Sequence, residues 1–447
     1  MNGRSLYSLI FLTSIWAFGF SGCGLKMNSH YAELRPKLLD RDFDAANRLL
    51  DLSKTSFYQS EKNRLLFYMD KGMVLRLAGQ FKESNRFLEL AKFAAEELWT
   101  ESVAEQIQAA VTTDNALSYA GEDFERVLIH FVAALNYIAL GKYDSARVEA
   151  RQVTNQLDLY NQTYSNEHRN VYQDDAFARW LSGKLGEGEG GLQALNDAWI
   201  DYKKSIAVYE QQYQARYGTP LPDFVVQDAL RVTHALGKEF SDEFNQLRSQ
   251  YPHVKFIKMS ESKGRGEVVF IHLGGEAPYK TDDFLDVQTS SGKIRMAFPR
   301  FVKKRTVAKQ ARVGLGSGEW VETELGEDVA AIAIQNLKDQ LGRLRAKAAV
   351  RALVKEFAAD AGRLVGERLH DSGAEGIGSV LRIGSLVFKG VTAVSEEADK
   401  RSWLTLPASI GVSRFFAQPG DYALDVDFVN FEGDIVESTT IGATVIA

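Results

Sequence analysis

The feature that most constrains this chain is a change of period near its middle. From about Tyr31 to Gln250 apolar residues recur three and four positions apart, the spacing of helices with one buried face. After Pro252 short runs alternate apolar and polar residues, the spacing of strands with one buried face. Such a chain folds as an α+β protein with its helices gathered in the first half. Within that half one pattern recurs. In MDKGMVLRLAGQFKESNRFLELA, residues Gly72, Leu75, Gly79, Phe81, Ser84, Leu88 and Ala91 run small, large, glycine, aromatic, small, large, small. In AALNYIALGKYDSARVEARQV, residues Ala134, Tyr137, Gly141, Tyr143 and Ala146 repeat that order, and Ala150 and Val153 follow at the same spacing with the sizes reversed. A weaker copy precedes them at Phe43, Ala46 and Leu50. Another follows at Ala198, Tyr202 and Ser205, beyond a glycine-rich stretch (Gly183 to Gly191) that reads as an insertion.

The residue types have physical reasons. Small side chains at 72, 84, 134 and 146 let paired helices approach closely. Gly79 and Gly141 fall in the turn between helices, where a positive φ is expected, and Phe81 and Tyr143 are expected to cover that turn. One such unit cannot bury its apolar face alone, so neighbours must stack. The pattern resembles the tetratricopeptide repeat. Phe81 and Tyr143 stand nearly two repeats of about 34 residues apart, which predicts a degenerate unit between them. Two acidic-apolar segments stand out inside this half. TDNALSYAGEDFERVLIHF offers Tyr119, Glu122, Asp123 and Arg126 as a polar patch for a partner, or Glu122 and Asp123 as the negative start of a helix. QDDAFARWLSG places Asp174 and Asp175 before a helix whose Phe177, Trp180 and Leu181 read as core.

In the second half strands are predicted at 254–259, 267–273, 293–298, 306–315 and 319–325, and again after Leu406. The turn Pro419-Gly420-Asp421 leading into an alternating run is that of a β-sandwich. Between the two β blocks a helical segment carries a stripe of Ala330, Ile334, Leu337, Leu341, Leu344 and Ala348, and residues 376–394 form a second, nearly uncharged run suited to a helix packed on the sheets or to a membrane surface. The resulting division is 1–22 leader, 23–250 helical, 251–326 first β part, 327–400 helical insertion and 401–447 second β part. FPRFVKKR forms the densest basic cluster. Arg300, Lys303, Lys304 and Arg305 are candidates for contact with an anionic surface, or for a lysine-guarded strand edge.

The chain has a single cysteine. Cys23 follows an apolar run, Leu6 to Phe20, that is short for a membrane span of about 20 residues. A basic Arg4, an apolar stretch and the small pair Ser21-Gly22 give the layout of a cleaved secretory signal. Phe20-Ser21-Gly22-Cys23 resembles the lipobox of bacterial lipoproteins, with Phe20 in place of the usual Leu. The resemblance implies cleavage after Gly22 and lipidation of Cys23. Gly24, where inner-membrane lipoproteins commonly carry Asp, implies the outer membrane.

Conventional chemistry is not visible. No two of the seven histidines stand three to five residues apart, so no local metal pair exists. There is no phosphate-binding loop and no G-x-S-x-G elbow. A formal charge of −6 argues against a nucleic-acid partner. No catalytic, cofactor or metal residue is therefore assigned. Together with the lipobox, MDKGMVLRLAGQFKESN, TDNALSYAGEDFERVLIHF, DDAFARWLSG and DKRSWLTLPA resemble a family of uncharacterised bacterial lipoproteins with tetratricopeptide-like N-terminal halves. That resemblance implies an envelope role beside lipoproteins that activate cell-wall synthases or serve secretion, and carries over no catalytic residue. The expectation is a protein-binding adaptor or regulator facing the periplasm, anchored through Cys23. A structural accessory subunit and an enzyme acting on cell-wall material are the alternatives.

Overall fold

The computed structural model describes residues 23–59, 61–105, 117–163, 172–289, 292–316, 318–342, 344–345 and 398–446. The leader, with its apolar run, and the segment 376–394 lie outside the described residues. Among the described residues no helix is long and apolar enough to cross a membrane.

Helices α1 (Cys23–Leu39) and α2 (Phe43–Ser53) lead into hairpins stacked in chain order. These are α3 (Arg64–Leu77) with α4 (Phe81–Glu105), α5 (Asp123–Ala139) with α6 (Tyr143–Thr163), and α7 (Ala176–Glu189) with α8 (Gly191–Val208). A π-turn at Tyr209–Tyr213 carries α8 into α9 (Gln214–Tyr217), and α10 (Asp223–Leu236) and α11 (Ser241–Gln250) complete the array. The repeated small residues act as expected. A Cβ on Gly72 would stand 2.7 Å from the Leu88 side chain of the facing helix, while Ser84 Oγ donates to the Gly72 carbonyl at 2.7 Å. Gly79 and Gly141 make their turns at φ +72° and +67° with open space around them, so backbone conformation alone selects glycine there.

Three expectations need correction. The glycine-rich stretch is no insertion: Gly183 lets α7 approach Tyr202 of α8, and Gly190-Gly191 make the interhelical turn at φ +73° and +82°. The degenerate unit expected between Phe81 and Tyr143 is not seen among the described residues; α4 instead runs on for 25 residues. Tyr143 does not cover its turn but is 57 % exposed.

The array has an inner and an outer layer. In α3 every residue from Leu65 to Leu75 except Tyr68 is buried, and in α5 every residue from Asp123 to Asn136. Helices α4, α6 and α8 lie outside them, joined by Lys92–Glu149 at 2.6 Å and Arg147–Asp197 at 3.5 Å. What covers the inner layer is the rest of the same chain. A three-stranded antiparallel sheet of β1 (Gly266–Gly274), β7 (Ser409–Ala417) and β6 (Glu324–Glu327), in the order β1-β7-β6, lies against it. Alternation assigns the faces of this sheet. Val269, Ile271, Leu273, Ile410 and Val412 join the helical core, whereas Val268, Phe270 and Phe415 face a second sheet. That second sheet orders β5 (Trp320–Glu322), β4 (Gln310–Gly314), β8 (Gly420–Val429) and β9 (Ile435–Val445), packed through Ala311, Val313, Leu424 and Val426. A two-stranded ribbon, β2 (Tyr279–Thr289) with β3 (Gly292–Val302), sets Met296 and Phe298 against Leu341 of the helix 329–342. Asp328 caps that helix, accepting from Ala331 N at 2.7 Å.

The apolar core therefore runs unbroken from Tyr31 to Val412 across the change of period near 250. Two strand assignments also change. Residues 254–259 form no strand, because Val254 and Phe256 bury against α11 and its neighbours; Arg248 donates to the Val254 carbonyl at 3.1 Å. The run 319–325 splits between sheets, with Thr323 at the crossing donating its N–H to the Ala311 carbonyl at 2.8 Å.

Candidate functional site

Tyr119, Glu122, Asp123 and Arg126 are brought together, but inside the molecule. Tyr119, Asp123 and Arg126 are each at most 5 % exposed. Helix α5 opens at Asp123, and its first turn is a polar junction between helices and C-terminal half. The Glu125 carboxylate accepts from Tyr119 Oη at 2.5 Å, Glu122 N at 3.0 Å, Ser402 Oγ at 2.9 Å and Trp403 N at 2.7 Å. Glu122 pairs with the buried Lys280 of β2, and Asp123 with Arg126. Arg126 Nε donates to Tyr160 Oη at 3.0 Å. Arg401 closes the junction: it donates to Asp399, to Asn63 Oδ1 at 2.9 Å and to the Leu117 carbonyl at 3.0 Å, with its guanidinium over the Tyr119 ring. This patch is thus an internal fastening in which segment 399–406 lies along the helices. Sequence reading missed Glu125, Lys280 and Arg401; DKRSWLTLPA, a charged triplet before a buried tryptophan, was the available signal.

The basic cluster behaves differently. Lys303, Lys304 and Arg305 line an open cleft of about 540 Å³ together with Lys309, Glu276, Asp328 and His272. Arg300 is exposed on β3 and takes no part in this lining. Lys303 pairs with Asp328 at 3.2 Å and Lys304 with Glu276 at 2.8 Å. Glu276 also pairs with Arg35 of α1 at 2.7 Å. Burial pushes its carboxyl up, but hydrogen bonds from Arg35 and Lys304 win and hold it below the usual range. Burial lowers His272, keeping it neutral, so the cleft's positive charge comes from lysine and arginine. Beside the cleft, sharing Glu276 and Lys304 with it, lies a pocket of about 180 Å³ walled by leucines of α1 and the 404–406 segment.

Perturbed carboxyls lie deeper. Burial pushes Asp70 up to about 7 although Tyr31, Tyr58 and Thr405 donate to it. Burial raises Asp175, with repulsion from Asp174, and raises Glu327, with repulsion from Asp175; both are fully buried among Tyr172 and Tyr213. Asp175 also caps α7, accepting from Ala178 N at 2.7 Å, and Phe177, Trp180 and Leu181 are core as expected. These three carboxyls line neither the cleft nor the pocket. Among the described residues no group of three or more His, Cys, Asp or Glu side chains could hold a metal ion.

No family model and no curated protein matches the chain.

Proposed function

We propose that this protein is a bacterial outer-membrane lipoprotein, acylated at Cys23 and facing the periplasm, whose tetratricopeptide-type array acts as a protein-binding adaptor or regulator of an envelope complex in cell-wall synthesis or secretion. The observation that carries the binding role is the outer layer of the array. Leu90 and Phe93 on α4, Val148 and Leu159 on α6, and Leu192 and Ile200 on α8 are between 39 % and 71 % exposed, on helices whose inner faces are buried. These apolar side chains stand exposed on three successive outer helices that the Lys92–Glu149 and Arg147–Asp197 pairs join, and exposed apolar surface of this kind marks docking faces.

In a repeat array the inner helices usually offer the docking face. Here segment 399–406 and the first sheet fill that face, so docking falls to the outer layer. The same filling favours a second reading, a rigid accessory subunit of a larger assembly. A photo-crosslinking residue at Phe93 or Ile200, in cells making the full chain, tests both. Discrete crosslinked species from these positions, absent from a control at Glu432, are expected for an adaptor, and Cys23→Ser is expected to release the protein from the envelope fraction. Equal yields from Phe93, Ile200 and Glu432 would contradict the outer-layer interface.

A further inference from the structure

We propose that the leucine-walled pocket and the adjoining basic cleft form one binding site for an anionic amphiphile: an acyl chain in the pocket and its phosphate-type headgroup in the cleft. The two cavities meet at Glu276 and Lys304, which line both. Separately one is small and apolar and the other roomy and charged. The pocket alone, at about 180 Å³, is below the range of about 300–1,000 Å³ of ordinary small-ligand sites, and joined to the cleft it falls within it. The apolar end is built by Leu34 and Leu38 of α1, Met73 of α3, Leu273 of β1, and Leu404 and Leu406. It lies where helix, sheet and the 399–406 segment meet, so three parts of the fold hold its shape.

Charge complementarity identifies the head. Arg35, Lys303, Lys304, Arg305 and Lys309 face two carboxylates, Glu276 and Asp328. Those carboxylates are already engaged by Arg35, Lys304 and Lys303. Among the described residues no ion pair takes up Arg305 or Lys309, both exposed at the cleft. An uncharged lipid would leave this surplus unanswered, and an acyl chain carried by Cys23 brings no anion, which rules against the protein's own tether as occupant. A free anion would leave Leu39 and Leu77, the exposed leucines of the pocket lining, in water. An amphiphile satisfies both halves. The position suits a bilayer source as well: Leu34 stands about 16 Å along α1 from Cys23, at 1.5 Å per residue. The proposal needs no protein partner, so it stands or falls apart from the adaptor reading.

The test uses the full chain in neutral phosphatidylcholine nanodiscs and two photoactivatable 16-carbon probes, one with a phosphate head and one with an alcohol head. The phosphate-headed probe is expected to label peptides covering 34–39 and 73–77, and to do so more strongly than the alcohol. Arg305→Ala and Lys309→Ala are expected to cut that preference about fivefold each, the usual weight of one basic side chain near an anionic lipid. Leu39→Glu and Leu77→Glu, at positions 59 % and 42 % exposed and therefore safe for folding, are expected to abolish labelling by both probes. Equal labelling by the two heads, or labelling confined to other peptides, would overturn the proposal. So would full displacement of the phosphate-headed probe by millimolar inorganic phosphate, which would make the cleft a free-anion site.

Discussion

At the scale of single residues, burial governs the Asp70 carboxyl. Among the described residues no ion pair reaches Asp70; three hydroxyls donate to it, and loss of water raises its carboxyl to about 7. A carboxyl raised above its unfolded value of about 3.9 binds its proton more tightly when folded. Its contribution is fully present below about pH 4 and is lost as pH rises through 7. Across that window the loss is on the order of 4 kcal/mol. Asp70→Asn keeps an acceptor for the hydroxyls and removes the proton. The variant is expected to be more stable than the parent at pH 8 and to lose most of this slope, read from urea unfolding at pH 5 and pH 8. Parallel profiles for the two proteins would contradict the assignment. Glycines divide in a similar way. Gly72→Ala drives a Cβ into Leu88, an overpacking cost of about 1–3 kcal/mol. Gly79→Ala meets no atom but holds φ at +72°, a cost of about 1–2 kcal/mol. Adding Leu88→Val is expected to recover part of the first loss and none of the second, which a double-mutant comparison of urea midpoints measures.

At the scale of elements, what was legible in the sequence was whatever repeated. The Gly72–Ser84–Leu88 and Ala134–Ala146–Ala150 patterns located helix pairs correctly, because helix contact depends on side-chain size at fixed spacing. The third pair was misread as an insertion, because Gly183 and Gly186 make room for Tyr202 and Arg147 rather than for a loop. Strands were less legible where charged residues interrupt the alternation. Tyr279–Thr289 carries Asp282, Asp283 and Asp286, which hide its alternation, and it is a strand because β3 pairs with it in register from Tyr279↔Val302 to Thr289↔Gly292. The candidate site divides along the same line. The basic cluster was visible as a run of charge; its apolar half, drawn from α1, α3, β1 and 404–406, could not be. The connecting element between them is the segment 399–406. Arg401 fastens it by bonds that only a planar guanidinium can make together, to Asp399, Asn63 and the Leu117 carbonyl, with its face on Tyr119. Arg401→Lys keeps the charge and loses that fork. It is expected to cost about 1–3 kcal/mol, because the bonds to buried Asn63 and to the Leu117 carbonyl are lost, and to raise hydrogen exchange in segment 402–406 above that of β8.

At the scale of the whole molecule, the helical and sheet halves are joined by buried ions as well as by apolar surface. Asp228, Glu187 and Glu267 share Lys184, Arg231 and Arg414, drawn from α7, α10, β1 and β7. Arg231 reaches Glu187 and Asp228 at 2.6 Å each and Glu267 at 3.2 Å, so it touches all three carboxylates. Burial alone would push Asp228 and Glu187 up. The surrounding cations reverse this and hold both below the usual carboxylate range. Their contribution is therefore present above the unfolded pKa near 4 and is lost as pH falls below it. That is opposite in sign to Asp70, so overall stability is expected to peak in mildly acidic solution and to fall on both sides. Removing one member leaves buried charge uncompensated, at a cost of about 3–5 kcal/mol. Since the lost member bridges both halves, Arg231→Met is expected to lower the urea midpoint of helical circular dichroism and of Trp403 environment together, as one transition. Two separated transitions in the unmodified protein would show that the halves fold independently, and would undo the argument that one continuous core spans them.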